Sequence, residues 1–555
     1  MGAAGGARAA RGGRARLRAA DVRLRHVRGP LQLRPGAGRA RRRARRRRAR
    51  RLERVRPGGR GRGVRRLGER RRGAADDRCP GRRPAGQPLR VARQRDRPER
   101  QRVLFGDPRR ARAGVGAAAR RVVACVPACV GTPARRRAGR RRRAARKPQR
   151  SLSRVARVKI VDVRCHVLLD PGYEREATSS NQDTIVVEIV TDEGVTGYGE
   201  TDLNAWVARA CIEAPGMHTM DRGLRELLLG RDPRDPAALW DELYVGTAMT
   251  GRRGALVHAL GALDIALWDI CGKAAGVPAW RLLGEQAHDR LVPYASLLPK
   301  SGGSADEFAQ TLVDQAVWAK GFGYRAAKLE ILTRGPYAHE GLSASDDLML
   351  EVIAAARRAV GPDFALMVDV AYGWKTAAEA LRVIEPWAEH DVFFLETPLW
   401  ADDLDEYAKL AERSPIPLAA GEWLATRWEF LDLMDRGRVH FVQPDVGRVG
   451  GLTEALRVCR LADERGLRVV PHGWKTGLTV AATAHLAAVT PNLVFFEFVP
   501  PEVAESPLRR ELVIDELQFE DGTLGLPLRP GLGVDLDGDA FERFSAAARA
   551  REQLR

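Results

Sequence analysis

The first 146 residues contain no lysine, isoleucine, asparagine, tyrosine, tryptophan or serine. Arginine takes their place, as in the near-contiguous runs Arg41–Arg43 and Arg45–Arg48. With few large apolar side chains and a high net charge, burial cannot offset the chain entropy lost on ordering. A packed core is thereby excluded, and the Arg-rich segment 1–154 is expected to be disordered. The lack of serine before Ser151 argues against a transit peptide, which would be Ser-rich as well as Arg-rich. The missing Lys, Ile, Asn and Tyr are residues whose codons are poor in G and C. The segment therefore reads as G+C-rich sequence upstream of a mis-assigned start. No methionine occurs between Met1 and Met217, so a true start would use another codon near Leu152, Val155 or Val158. The competing reading is a nucleic-acid-binding arm, since arginine neutralises phosphates. It is disfavoured because Phe105 alone interrupts the arginines, leaving bases no aromatic platform on which to stack.

Other absences narrow the class. No stretch reads as a membrane span: the most apolar part of the tail, Val122–Gly131, is ten residues long and contains Pro127. The seven cysteines (79, 125, 129, 165, 211, 271 and 459) form no close-spaced metal motif. Cys125 and Cys129 are four apart but lie in the tail. Scattered thiols of this kind fit a reduced, cytoplasmic protein. Charge is divided just as unevenly. Residues 1–154 hold 53 of the 94 Lys+Arg but only 8 of the 70 Asp+Glu, a net of +45 against −21 for the remainder. The basic tail is thus joined to an acidic body long enough for about two domains.

Within that body the pattern becomes regular. VKIVDVRCHVLL reads as a strand, and TIVVEIVTDEGVTGYGE as two strands about a turn at Asp192–Gly194. HALGALDIALWDICGKAAG has apolar residues spaced three and four apart and stops at Gly276, before Pro278. Residues 155–290 are therefore expected to form a small α+β domain, to which 501–543, with its hairpin-like LQFEDGTLGL, returns. From 291 to 500 short apolar runs alternate with helical stretches. The runs are LVPYASLL, AAKLEI, FALMVDV, DVFFLE, IPLAAGE, VHFVQPD, LRVVPH and LVFFEF. Eight such runs predict an α/β fold built on a (β/α) barrel, whose strands are buried on both faces.

Ionisable residues close strand after strand: Lys328 and Glu330, then Asp369, Glu396, Glu422, Asp445, His472 and Glu497. From Asp369 onward the spacings are 27, 26, 23, 27 and 25 residues, one βα unit each. The C-terminal strand ends of a barrel share one face, where active sites lie. One charge at a strand end is only where the chain meets water, but an acid or histidine at each end in register needs another reason. Asp369, Glu396 and Glu422, from adjacent strands, would repel one another unless a cation sat among them. All-oxygen ligation favours Mg²⁺. Asp445 and His472 suit a dyad in which the carboxylate fixes the imidazole tautomer and raises its basicity, making His472 the expected general base. Lys328 could stabilise an enediolate or hold the substrate carboxylate; the bland alternative is a salt bridge to one of the metal-binding acids.

VDVAYGW, FLETP, AAGEW, QPDVGRVGGL and VPHGW, together with the helix ALDIALWDICGKAAGVPAWRLLG, resemble the mandelate racemase branch of the enolase superfamily over about 155–540. The resemblance implies an α+β capping domain over a (β/α)₇β TIM-like barrel. It also implies Mg²⁺ on Asp369, Glu396 and Glu422, a His472–Asp445 base, Glu497 as a hydrogen-bonding partner of the substrate, and a homo-oligomer. Two departures stand out. Relatives often carry Lys-x-Lys on the second strand, where this chain has Lys328 and Glu330. They also often carry an asparagine two residues past the first metal acid, where Ala371 stands.

The expected chemistry is Mg²⁺-dependent removal of the proton α to a small-molecule carboxylate. The favoured outcome is dehydration of an acid sugar (aldonate or aldarate) to a 2-keto-3-deoxy acid, in carbohydrate acid catabolism. The hydrophilic segment DPGYEREATSSNQD, expected to cover the site, suits a hydroxylated substrate. A racemase or epimerase is the alternative and would need a base on each face. Glu330 is expected to serve poorly there, because the neighbouring Lys328 should lower its proton affinity.

Overall fold

The computed structural model describes residues 158–175, 179–299, 303–338 and 346–554. The Arg-rich segment 1–154, with Cys79, Cys125 and Cys129, lies outside them. The four cysteines that are described, at 165, 211, 271 and 459, are unpaired.

Strands β1 (Ile160–Leu169), β2 (Asp183–Thr191) and β3 (Thr196–Thr201) form an antiparallel sheet in chain order. The β2–β3 turn carries Gly194 at φ 78°. Helix α1 (Ala205–Glu213) and the long helix α2 (Ala255–Ala275) pack on this sheet. Helix α2 ends where the sequence places its stop, at Gly276, whose left-handed φ of 68° no β-carbon opposes. By length and composition α2 could cross a membrane, but its most apolar window is 83% buried within the protein. It is the shared core helix. The contact with β3 is so close that a β-carbon on Gly199 would stand 1.9 Å from the Ala262 carbonyl oxygen. The same addition at Gly197 would come within 2.2 Å of the Ala266 oxygen. The GYGE sequence thus seats the helix on the strand.

The second unit is the expected barrel. Its parallel strands are β4 (Pro293–Leu297), β5 (Ala326–Glu330), β6 (Ala365–Asp369), β7 (Val392–Glu396), β8 (Leu418–Ala420), β9 (Phe441–Val442), β10 (Arg468–Val469) and β11 (Phe496–Phe498). They neighbour one another in sequence order. Closure is made by β11 pairing with β4 and by Leu493, just before β11, bridging to Val469. Helices α3 (Ala305–Phe322) and α4 (Asp346–Val360) are among those that separate the strands, α3 starting in a Ser304–Glu307 capping box.

The later ladders are shorter than the apolar runs suggest, and the sequence contains the reason. Pro444 and Pro471 precede Asp445 and His472, and proline has no N–H to continue a ladder. Gly421, at φ 128°, turns the chain out of β8 before Glu422. These three functional side chains therefore project from loops just past the strands, whereas Lys328, Glu330, Asp369, Glu396 and Glu497 stand within them.

LQFEDGTLGL forms the hairpin Phe519–Glu520 and Thr523–Gly525, with Asp521 and Gly522 both at positive φ as a tight primed turn requires. It pairs with Arg290–Leu291. The return to the three-stranded sheet is made by helix α5 (Gly538–Gln553), which packs on β1 and buries Ala548 in that core.

Polar pins join the first sheet and its helices to the barrel. Asp202, just past β3, pairs with Arg448 and lies 3.3 Å from the Lys475 ammonium. Asp264 accepts from the Thr453 N–H (2.8 Å) and hydroxyl (2.6 Å). Trp240 donates to the Gly450 carbonyl at 2.7 Å. Glu200 accepts from the hydroxyls of Thr184, Thr476 and Thr479.

Candidate active site

Sheet register sets the acids side by side: Glu330 is opposite Asp369, and Asp369 opposite Glu396. Lys328, two residues before Glu330, points into the same interior because side chains alternate along a strand. All eight ionisable residues expected from the strand ends are buried.

Lys328 does not stand apart from the acids. Its Nζ lies 2.5 Å from Glu396 Oε1, 2.8 Å from Glu497 Oε1 and 3.8 Å from Asp369 Oδ2. Burial opposes the ammonium charge, but the carboxylates of Glu396 and Glu497 outweigh it and hold Lys328 protonated well above the usual lysine range. The bland reading of Lys328, an ion pair with a metal-binding acid, is thus present in the geometry.

On the other side, Asp445 Oδ2 lies 2.6 Å from His472 Nδ1, and Gly447 N–H donates to Asp445 Oδ1 at 2.7 Å. The aspartate is fixed by backbone, and the imidazole by the aspartate. His472 Nε2 is left facing the interior, 3.1 Å from Glu422 Oε2 and 3.9 Å from Glu497 Oε2. Burial disfavours the imidazolium, yet Glu497, Asp445 and Glu422 together push its pKa to about 10.

The three expected metal acids do not form a ready cage. Among the described residues, no group of three or more His, Cys, Asp or Glu is placed to hold a metal ion. The cause is visible in the pairing: Lys328 draws Glu396 and Asp369 to one side, while His472 draws Glu422 to the other. The donor set nevertheless suits a hard divalent cation. Six buried acids (Glu330, Asp369, Glu396, Glu422, Asp445 and Glu497) face Lys328 and His472, and Arg448 is shared with Asp202. Burial, with repulsion from Asp369, Glu497 and Glu422 and against the pull of Lys328, raises Glu396 to about 8. Burial and Asp369 raise Glu422 as well, although His472 opposes them. Buried oxygen donors whose ionisation is costly without a cation among them fit Mg²⁺.

Glu330 departs from expectation. Burial dominates and raises its pKa well above the usual carboxylate range, while Lys328 opposes that rise without overcoming it. The ammonium is committed to Glu396 and Glu497, and Glu330 has only the Ser296 hydroxyl at 3.1 Å. The expected downward pull of Lys328 is present, but burial outweighs it and the net effect on Glu330 is a rise.

Several participants were missed in the sequence although their motifs were in view. Gln443, which opens QPDVGRVGGL, donates to Glu396 Oε2 at 2.6 Å. Thr397 of FLETP donates to Asp369 Oδ1 at 2.7 Å, and Tyr372 of VDVAYGW to Glu422 Oε1 at 2.8 Å. The charged residues of those motifs drew attention, while their neutral donors carried no signal of their own.

The mouth of the barrel is bordered by the base of the hydrophilic segment, of which 176–178 lie outside the described residues. Trp474 Nε1 donates to Ser179 Oγ at 3.3 Å, and the Lys475 ammonium donates to the carbonyls of Ser180 and Asp183. Beside it is a small cavity lined by Ser179, Asn181, Ser296, Trp474 and Ser506. Ser296 links this cavity to Glu330, and Trp474 lies two residues from His472.

Known proteins resemble this chain in sequence and fold. Residues 156–284 match the mandelate racemase/muconate lactonizing enzyme N-terminal domain, and 308–540 the enolase C-terminal domain-like family. D-galactarolactone cycloisomerase of Agrobacterium fabrum is 31% identical over 402 residues, 70% of this chain and 99% of that protein. Arabinonate dehydratase of Saccharolobus solfataricus is 30% identical over 395 residues, covering 69% and 99%. The crystal structure of the 3,6-anhydro-D-galactonate cycloisomerase from Zobellia galactanivorans superposes with a TM-score of 0.60 at 29% identity, covering 70% of this chain and 99% of that one. Matches to both family domains, and relatives covered almost end to end, lead to one conclusion: the chain belongs to the mandelate racemase/muconate lactonizing enzyme family of the enolase superfamily.

Proposed function

We propose that the protein is an Mg²⁺-dependent acid-sugar dehydratase that removes the proton α to a carboxylate and eliminates the β-hydroxyl to give a 2-keto-3-deoxy acid. The observation that carries this reading is the His472–Asp445 pair. Asp445 occupies Nδ1 at 2.6 Å, so the remaining nitrogen, Nε2, is the one that can exchange a proton with a substrate. Asp369, Glu396 and Glu422 would hold Mg²⁺. Bound there, the ion supplies charge stabilisation for the carboxylate as it becomes an enediolate. Lys328 adds positive charge from the opposite wall. Glu497 is held ionised by Lys328, which overcomes its burial, and by the Gly473 N–H; it offers the substrate a hydrogen-bond acceptor. His472, once protonated, returns its proton to the departing hydroxyl oxygen.

Relatives named arabinonate dehydratase and L-rhamnonate dehydratase support the hydro-lyase class. The cavity lined by Ser179, Asn181, Ser296 and Ser506 supports a hydroxylated substrate. Unpaired thiols at the described cysteines accord with a cytoplasmic setting.

One observation favours the epimerase reading. Burial raises the pKa of Glu330 well above the usual carboxylate range, and from β5 it could deliver a proton to the face of the α-carbon opposite His472. Incubation with an aldonate panel in D₂O, followed by NMR, separates the two. A keto acid with no reaction by His472→Asn supports the dehydratase. A C2 epimer carrying deuterium, lost in Glu330→Gln, with no keto acid, establishes the epimerase instead.

A further inference from the structure

Just beyond Asp369 the backbone takes a path few side chains favour. Ala371 (φ 38°) and Tyr372 (φ 64°) are consecutive non-glycine residues in the left-handed region, and Thr397, directly after Glu396, has φ 42°. Such conformations are costly and persist only where surrounding contacts enforce them. Asparagine tolerates this region better than alanine does. Its absence at position 371 therefore leaves strain in the chain.

The contacts that enforce the strain end on carboxylates. Ala371 N–H donates to Asp369 Oδ1 at 2.8 Å, and the Thr397 hydroxyl reaches the same oxygen at 2.7 Å. Tyr372 N–H donates to the Thr397 carbonyl at 2.6 Å, tying the two strained loops together. The Tyr372 hydroxyl then crosses to Glu422 Oε1 at 2.8 Å. Its ring is 5% exposed and lies 4.3 Å from Trp423, 5.4 Å from Trp400 and 6.1 Å from Tyr337 between centroids. Wedged among three aromatic rings, the hydroxyl cannot swing away.

We propose that Tyr372 is a positioning residue that fixes Glu422 Oε1, so that only Oε2 is left to turn between His472 and a metal ion. The inference rests on the Mg²⁺ site proposed above. Without the hydroxyl, Oε1 as well as Oε2 is free to engage His472 Nε2 and Arg448, which already lie 3.1 and 3.8 Å from Oε2. The carboxylate would then be shared between those cations and presented less often to a metal.

Tyr372→Phe keeps the ring and removes only this donor. Partners that orient metal ligands typically change metal affinity about 10–100-fold when lost. Titration calorimetry with MgCl₂ on EDTA-stripped protein should show a Kd at least about tenfold weaker than wild type. Far-UV and near-UV circular dichroism should be unchanged, and kcat should recover at saturating Mg²⁺. A Kd within twofold of a wild type that does bind overturns the role of Tyr372 and leaves the metal site standing. A wild type that takes up no Mg²⁺ overturns both. If the phenylalanine variant does not fold, the same substitution is placed on an Ala371→Asn background, which relieves the backbone, and is compared with Ala371→Asn alone.

Discussion

Lys328→Met isolates the electrostatic problem at the centre of the barrel. The side chain keeps a similar length and loses its charge, leaving Glu396, Glu497 and Asp369 without the ammonium that lies 2.5, 2.8 and 3.8 Å from them. At an effective dielectric near 20, one unit-charge contact at about 2.8 Å is worth roughly 6 kcal/mol before desolvation is subtracted. Removing one partner of a buried pair costs about 3–5 kcal/mol net. The lower part of that range is expected, because burial pushes Glu396 up to about 8, so that it can take up a proton when the lysine is gone. Over the roughly 400 residues from 158 to 554 the unfolding entropy is near 0.8 kcal/mol/K, so about 3–5 kcal/mol lowers the melting temperature by about 4–6 °C. Scanning calorimetry in EDTA at pH 7 reads this directly. In saturating MgCl₂ the gap should narrow, since a divalent cation can take over the freed carboxylates. A loss below about 1 kcal/mol in EDTA, against the range for a broken buried pair, would refute the argument, as would a gap that Mg²⁺ leaves unchanged.

Three further outcomes follow. Glu396 and His472 bind protons more tightly in the metal-free fold, to about pH 8 and about pH 10, than the unfolded chain does near roughly 4.3 and 6.5. Their contribution is complete below the unfolded values and is lost as pH rises through the folded ones. EDTA-treated protein should therefore melt progressively lower from pH 6 to 10, and a flat or rising profile would contradict the pairing. Glu396→Gln should weaken Mg²⁺ binding in calorimetry by at least about tenfold, and activity surviving excess EDTA would remove the metal from the mechanism. Gly199→Ala drives a β-carbon to 1.9 Å from a helix carbonyl, and overpacking of that kind costs about 1–3 kcal/mol or more; a melting temperature equal to wild type would show that α2 is not seated on β3 as described.

The barrel was legible because its signal is repetitive: eight apolar runs of similar length, each closing on an ionisable group. The identity of the acid series, the His472–Asp445 contact and the C-terminal stop of α2 followed from residue type and spacing. Charge balance did not. How strongly Lys328 lowers each neighbour depends on where a flexible four-carbon chain points, and it points to Glu396 and Glu497 instead of Glu330. A sequence shows that two charges are near in register but not how deeply each is buried, and burial decides the protonation of Glu330. The left-handed backbone at Ala371, Tyr372 and Thr397 was equally hidden, because none of these residues advertises a positive φ.

The pins between the first sheet and the barrel give the capping region two unlike ends. At its rear, Asp202, Asp264 and Trp240 lock into Arg448, Lys475, Thr453 and Gly450, which lie on the same two loops that carry Asp445 and His472 or on the helix that follows one of them. The parts that hold the dyad and the parts that hold the cap are therefore one mechanical piece. A cap exchanged for one from a relative would disturb the base itself unless its Asp202 counterpart met Arg448 in the same place. Under the proposed function, substitutions of Ser179 and Asn181 in the cavity at the mouth would shift substrate range, whereas the Asp202–Arg448 seam must change, if at all, on both sides at once.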